Sequence, residues 1–403
     1  MKSRLFANRL LLKSFSIVGS WTLVSRFFGF LRDILMANFL GSGIIAESFL
    51  IAFSIPNMFR RLFAEGAFNT AFLPMFSKRL NNKLVAERFA SDALSLLILS
   101  LLLLTALAEI VMPGIIIITA GGFASDDRFN LAVTYSRVMF PYIFFISLAS
   151  FFGGILNSMN KFSASAAGPV LLNLFMIGAL LYAYYFDKNF GTALIYSVPL
   201  AGVAQLAFVW IAYKSLPYKL SLKRPKISPE MRNLVKIALP AALAGGVVQI
   251  NLIVGRQIAS FFDGAIAWLS YADRLYQLPL GVVGIALGTV LLPTLSKKIS
   301  KNDEAERDFI VNRSVELALV LTLPATLVFI ILPQTIVSVL FQRGAFSVID
   351  TFATANALSI YALGLPAFVL QKIVITRYFS KGNTSTPFKF AIFGKESNVC
   401  LNS

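Results

Sequence analysis

Long uncharged stretches, separated by short polar or charged connections, set the pattern of this chain. The clearest are 93–108 (extended past Glu109 to 119), 138–160, 162–186, 189–213, 237–255, 275–296, 317–342 and 351–371. Two earlier stretches, 14–38 and 44–63, are as apolar but contain charges. A helix needs about 20 apolar residues to cross a hydrocarbon layer about 30 Å thick, so the pattern predicts ten transmembrane helices. The first resembles a secretory leader, because Lys2, Arg4, Arg9 and Lys13 precede it. Arg26, Arg32 and Asp33 interrupt it and no small-residue cleavage site follows, so it reads as a retained helix.

Composition agrees with this pattern. Of 403 residues, 57% are hydrophobic and 14% charged, against about 45–50% and about 25% in soluble domains. Too little polar surface is present to coat a soluble globule, and the fold class is an all-α polytopic membrane protein. Cys400 is the single cysteine, which excludes an internal disulfide, and histidine is absent, which excludes His-based catalysis and His-ligated metals.

The net charge of +17 is distributed by topology. Basic residues crowd the N-terminus and alternate connections: Lys78, Arg79, Lys83 and Arg88; then Lys214 to Lys236; then Lys297, Lys298, Lys301 and Arg307. The intervening connections hold only Arg128 beside Asp126 and Asp127, Lys188 beside Asp187, and Arg343. The positive-inside rule then puts both termini in the cytoplasm. Nucleic acid is not an expected partner; membrane lipids are.

The chain also resembles itself. Leu73-Pro74-Met75-Phe76-Ser77-Lys78 matches Leu292-Pro293-Thr294-Leu295-Ser296-Lys297, and a polar connection ending at Pro169 pairs with one ending at Pro387, at offsets of 219 and 218. Two landmarks at nearly one offset indicate duplicated halves, a recurring transporter design. The expected division is an N-terminal lobe of six helices over 1–230, a partial C-terminal lobe of four over 231–390, and a polar tail over 391–403. The second lobe is incomplete by this count.

Charge inside the apolar stretches carries the candidate chemistry, since an ionisable group at the bilayer centre costs at least about 2.5–3.5 kcal/mol. In the first helix Ser25, Gly29, Arg32 and Asp33 fall on one side, with Arg26 next to Asp33. This polar stripe faces either a neighbouring helix, which an Arg–Asp pair would tie, or a water-filled cavity. In the second, Pro56 opens the backbone one turn before Arg60 and Arg61. Those two arginines are either interfacial anchors or cavity cations, and Arg61 with Glu65 has the i,i+4 spacing of a structural pair. Glu47 opens this helix at its other end, and Asp273-Arg274 places another such pair at the start of the eighth helix. Arginine exceeds acid throughout. Its guanidinium binds phosphate bidentately and stays charged, so the implied cargo is anionic, a phosphate or pyrophosphate. No Walker A sequence is present; energy would come from the membrane potential, an ion gradient or a downhill product sink.

The residues Ser25-Arg26-Phe27-Phe28-Gly29-Phe30-Leu31-Arg32-Asp33 and the run from Phe53-Ser54-Ile55-Pro56-Asn57-Met58-Phe59-Arg60-Arg61 to Phe68 resemble the N-terminal signature of the MurJ (MviN) lipid II flippase family. That family sits within the multidrug/oligosaccharidyl-lipid/polysaccharide exporter (MOP) superfamily. Tyr271-Ala272-Asp273-Arg274-Leu275, the stretch 284–293 and Thr384-Ser385-Thr386-Pro387-Phe388-Lys389 resemble its eighth helix and its tenth-to-eleventh connection. The similarity extends from about residue 15 to Phe393.

The resemblance implies a two-lobed, MATE-like architecture around a V-shaped cavity, with a final helix pair for the lipid tail. It implies substrate binding by Arg26, Arg32, Asp33, Arg60 and Arg274, and gating or supporting roles for Ser25, Glu47, Arg61, Glu65 and Asp273. The implied cargo is undecaprenyl pyrophosphate carrying the disaccharide-pentapeptide (lipid II), moved from the inner to the outer leaflet of the bacterial cytoplasmic membrane. Other cell-wall synthesis proteins are implied partners. No cofactor or metal is expected, and no coupling ion is identified. Glu47 stands where many members carry Asp. The competing readings are a truncated, inactive member or cell-wall scaffold, and a drug or cation exporter of the same superfamily, which would place acids in its cavity. A membrane enzyme is disfavoured by the missing histidine.

Overall fold

The computed structural model describes residues 2–61, 69–225, 227–281 and 304–380, and is helical throughout, with no strand among them. The helices are α1 (Lys2–Leu40), α2 (Ile44–Arg60), α3 (Asn69–Ser77), α4 (Lys83–Thr119), α5 (Asp127–Met139), α6 (Tyr142–Ser158), α7 (Ser163–Tyr185), α8 (Phe190–Lys214) and α9 (Pro229–Ala259). They continue with α10 (265–281), α11 (Glu304–Ile331), α12 (Pro333–Phe341) and α13 (Val348–Ser380). Each of the ten stretches read from the pattern falls wholly or partly on a described helix. The fourth is split between α5 and α6 at Pro141, and the ninth between α11 and α12 at Pro333, where the ring removes a backbone donor.

Among the described residues, six helical segments are long and apolar enough to cross a membrane: Lys83–Thr119, Asp127–Ser158, Ser163–Tyr185, Phe190–Lys214, Phe309–Ile331 and Val348–Ile375. Only 28% of the apolar window of α4 is buried within the protein. Leu99, Leu102, Leu103, Leu107, Ile110 and Ile118 stand exposed along it, a surface that only lipid would solvate. Hydroxyls on the helices bond back to their own turns, as Thr22 to the Val18 carbonyl (2.8 Å) and Thr322 to that of Ala318 (2.8 Å), which satisfies them without water.

Two compact units divide at Ala267/Trp268, whereas the lobe boundary expected from the sequence lies at 230/231. The physical reason is that α9 packs against α3 and α4 of the first unit. The core of the first unit joins Met36 and Leu40 of α1, Phe49 of α2, Met139 and Tyr142, Met176 and Leu180 of α7, and Leu194 and Val198 of α8. Phe72 stacks on Phe76 and Phe89 and leans on Phe151, linking α3, α4 and α6.

Small residues let these helices approach closely. A Cβ on Gly191 would lie 2.2 Å from the Tyr135 hydroxyl, and one on Gly202 would lie 2.8 Å from the Tyr142 ring. After α8 an extended strap lies along α4: the N–H groups of Lys219, Ser221 and Lys223 donate to Glu87 Oε1 (2.7 Å), Ser91 Oγ (3.1 Å) and Ser95 Oγ (3.1 Å). Two extended residues advance about 6.6 Å and four helical ones about 6 Å, so every second strap residue meets every fourth helix residue.

The second unit, described over 268–281 and 304–380, packs α11 and α12 on α13. Its core joins Leu280, Val311, Ala318, Leu365, Val369 and Ile373. Trp268 Nε1 donates to Asp350 Oδ1 (2.8 Å), while the other carboxylate oxygen accepts from the Ser347 backbone N–H (2.7 Å) at the start of α13.

Gly191→Ala is expected to destabilise the protein by about 1–3 kcal/mol through overpacking against Tyr135. Gly178→Ala, with nothing within 4 Å, is the neutral control. Thermal unfolding in detergent, read by intrinsic fluorescence, distinguishes them; equal melting temperatures for both variants would contradict the packing.

Candidate functional site

Three polar assemblies occupy the first unit. The first ties α1 to α7. Arg32 and Asp33 are both buried, at 7% exposure. The Arg32 guanidinium donates to Asp33 Oδ1 from Nε (3.0 Å) and Nη2 (2.7 Å), and from Nη1 to Asn173 Oδ1 (3.1 Å). Asn173 Nδ2 in turn donates to the Ser25 carbonyl (3.1 Å). Adjacent helical positions do not face each other, yet the long arginine chain folds back far enough to reach its neighbour. A Cβ on Gly29 would stand 3.4 Å from Asn173 Nδ2, so the small residue of the stripe is where the asparagine enters. Arg26, by contrast, is exposed, and Ser25 is half-buried.

The second assembly surrounds Glu47, 2% exposed at the start of α2. Arg128 Nη1 donates to Glu47 Oε2 (2.9 Å), and the rest of the same guanidinium binds Asp126 (Nε to Oδ2, 2.8 Å) and Asp263 (Nη2 to Oδ1, 2.9 Å). Its carbon lies 4.5 Å from the Phe123 ring centre. Glu47 Oε1 accepts the Ile266 N–H (3.1 Å). Beside this cluster Gly121 N–H donates to Gln257 Oε1 (2.7 Å) and Gly122 N–H to Ser260 Oγ (2.9 Å). A Cβ on Gly122 would fall 2.4 Å from the Ser260 carbonyl, so no side chain fits between the two backbones. The result is a latch joining α2, the start of α5 and the end of α9. Asp126 precedes the apolar span; the hydrogen bond from Arg128 holds its carboxyl below the usual carboxylate range.

The third assembly is a cavity of about 300 Å³ whose wall includes Arg60, Asn157, Ser165 and Gln205. Arg60 is half-buried at the end of α2, while Arg61 is exposed. Arg61 N–H accompanies the helix end, donating to the Asn57 and Met58 carbonyls. No acid appears among the described residues that line this cavity. Glu65, the proposed partner of Arg61, and the stretch 284–293 lie outside the described residues.

In the second unit Asp273 and Arg274 are half-buried well inside α10, not at a helix start as the sequence pattern suggests, because the helix already begins at 265. Asp273 accepts a hydrogen bond from Gln277, one turn on, and the ring of Tyr276 stands 5.8 Å from that of Tyr361. Among the described residues no cluster of three or more acids, cysteines or histidines offers a metal site.

Sequence reasoning brought Arg32 and Asp33 together on one helix and placed Glu47, but missed Arg128, Asn173 and Gln205. Arg128 read as a balanced connection residue. The available signal was Glu47 itself, a lone acid in an apolar stretch that needs a cation from elsewhere. Asn173 and Gln205 carry no charge and no motif, so periodicity alone does not single them out.

A family model described as the lipid II flippase MurJ matches residues 36–403. That match runs past Phe393, where the motif resemblance ends. A protein of Rhizobium meliloti (strain 1021) named "Probable lipid II flippase MurJ" is 45% identical over 398 residues, which cover 97% of this chain and 74% of the relative. The structure of a lipid II flippase MurJ in an inward closed conformation superposes with a TM-score of 0.80 at 28% identity, covering 94% of this chain and 78% of that one. An inward-facing multidrug resistance MATE family transporter of the MOP superfamily matches at a TM-score of 0.69 and 16% identity, covering 92% and 84%; that likeness concerns the fold.

Arg128→Ala is expected to cost about 3–5 kcal/mol, because it leaves Glu47 buried and charged without its cation. Glu47→Ala combined with it should cost less than the sum of the two. Chemical denaturation in detergent measures both; strict additivity would remove the latch. For Asp126 the depressed folded value means a contribution fully present above about pH 4 and lost as pH falls through that value. The melting difference between wild type and Asp126→Asn should therefore stay constant from pH 7 to 5 and close only in stronger acid.

Proposed function

The chain belongs to the lipid II flippase MurJ family, and from that premise we propose that it carries lipid II across the cytoplasmic membrane by alternating access. It is an integral membrane protein with the MOP-superfamily fold. The diphosphate of the cargo is the group that the cations recognise. In the first unit Arg26 and Arg60 are the cations that bind it; Arg274, with Asp273 beside it, is the candidate cation of the second unit. Arg32 is held by Asp33 and Asn173 in this state. Its part in binding requires release of those bonds; until then it fixes α1 against α7. The Glu47–Arg128 latch keeps one end of the first unit closed, and its separation accompanies opening at that end.

One observation carries the choice of an anionic cargo: the cavity beside Arg60 has a guanidinium in its wall and no acid among its described residues. A guanidinium cannot lose its proton at any physiological pH, so a cationic drug or metal ion gains nothing there. The exporter reading requires the opposite sign.

Two assays test this reading. Expression of the chain in a bacterium depleted of its own flippase should restore growth, and liposomes holding the purified protein should expose fluorescent lipid II to the opposite leaflet. Arg60→Ala and Arg274→Ala should each slow translocation about tenfold or more, the worth of a charge-assisted hydrogen bond of about 1.5–3 kcal/mol. Arg60→Lys should recover part of it. Normal flipping in all of these variants refutes the diphosphate clamp; stable insertion without rescue or flipping favours an inactive family member or a scaffold.

A further inference from the structure

A groove of about 780 Å³, which the proposed cargo path does not use, opens between α7 and α8 in the first unit. Its wall is apolar along most of its length, with Leu174, Phe175 and Ala179 from α7 and Ala193 and Leu200 from α8. Gly178 keeps it open, since a Cβ there would meet nothing within 4 Å. The chemistry changes at one end, where α7 gives way to α8. Lys188 and Asn189 line the groove there. Lys188 is exposed, and its ammonium makes no ion pair among the described residues. Its neighbour Asp187 sits on a left-handed backbone (φ 50°) and is not part of the wall. Asn189 caps α8: its Oδ1 accepts the Thr192 N–H (2.9 Å), which leaves the N–H2 group of that amide to donate.

The length of the groove sets its level in the bilayer. Tyr182, Tyr184 and Tyr185 stand exposed around its polar end, and tyrosines collect where their rings are in hydrocarbon and their hydroxyls among headgroups. From Asn189 down α8 to Leu200, and from Tyr185 down α7 to Leu174, is about 16 Å at about 1.5 Å per residue. Half of a hydrocarbon layer about 30 Å thick is about 15 Å, so the groove runs from the headgroups to the midplane and stops. A transmembrane helix of a partner would need contact through both leaflets. A lipid chain needs one leaflet, an apolar wall and a cation at one end for its phosphate.

We propose that this groove binds an anionic membrane phospholipid, with one acyl chain laid between α7 and α8 and the phosphate at Lys188. Charge sets the headgroup: a net-negative one keeps its phosphate for the ammonium, whereas the amine of a zwitterionic one repels it. On the sidedness expected from the basic connections, the leaflet concerned is the outer one. The chain covers Gly178, Ala179 and Ala193, where the side chains are too small to fill the space, and so braces α7 against α8 from the membrane side. The assignment does not depend on which cargo the protein carries.

Photolabelling of the purified full chain in nanodiscs tests the site with two probes, phosphatidylglycerol and phosphatidylcholine, each carrying the same photoreactive group near the end of one acyl chain. Labelling of residues 174–200 is read by mass spectrometry against labelling of the exposed stretch 99–118 of α4, which reports ordinary contact with the bilayer. In wild type, phosphatidylglycerol should give a ratio about fivefold higher than phosphatidylcholine does, the worth of one basic residue at a lipid surface. Lys188→Gln should bring the two probes level. Gly178→Leu, which fills the groove where a Cβ has open space, should remove the excess labelling and leave 99–118 unchanged. If it lowers the melting temperature, Lys188→Gln, a change at an exposed residue, decides the matter. Equal ratios for the two probes in wild type overturn the site, as does a preference that survives Lys188→Gln. So does displacement of the label by undecaprenyl phosphate but not by an equal excess of unlabelled phosphatidylglycerol, which would make the groove a site for the carrier lipid instead.

Discussion

A guanidinium or carboxylate buried in a helical bundle costs several kcal/mol unless an opposite charge or fixed dipole meets it, and lipid supplies neither. The positions of α1, α2, α5, α7 and α9 in the first unit follow from that constraint. Arg32 takes its carboxylate from the next residue and its amide from α7, so α1 cannot turn without stranding a charge. Glu47 takes Arg128 from the start of α5 and a backbone N–H from the segment after α9. Each pair converts the high cost of a lone buried ion into a directional contact between helices that are far apart in sequence.

Apolar packing completes the arrangement, though it discriminates less. Helix faces that meet lipid and faces that meet other helices are both leucine- and isoleucine-rich, and burial against lipid or protein differs little in energy. What distinguishes the buried faces is close approach. Gly191 against Tyr135, Gly202 against Tyr142 and Gly122 against Ser260 bring backbones where no side chain fits. The strap along α4 adds a polar counterpart, in which an extended chain satisfies every second N–H from a helix surface.

The same architecture is shared with MATE transporters at 16% identity, and a fold alone does not choose a cargo. Charge chooses. On the proposed reading, a cavity wall of guanidinium and neutral amides, with no described acid, selects against cations before any detailed fit is considered.

The sequence by itself determined the class of the protein. Stretches of apolar residues, few charges and alternating basic connections are one-dimensional properties, and solvation by lipid responds to them stretch by stretch. It also determined the short-range chemistry: the stripe with Arg32 and Asp33, the Pro56–Arg60 turn and the Asp273-Arg274 pair are neighbours along the chain. Tertiary structure alone decided which charges are tied and which line a cavity. Arg32 and Arg60 look alike in the sequence, yet the first reaches Asn173, 141 residues away, and the second stands in the wall of a cavity. It alone revealed Arg128 as the partner of Glu47 across 81 residues, and Gln205 as a buried acceptor. A neutral amide leaves no trace in charge or periodicity, because its energy in a membrane protein depends on which atoms face it after the helices have packed.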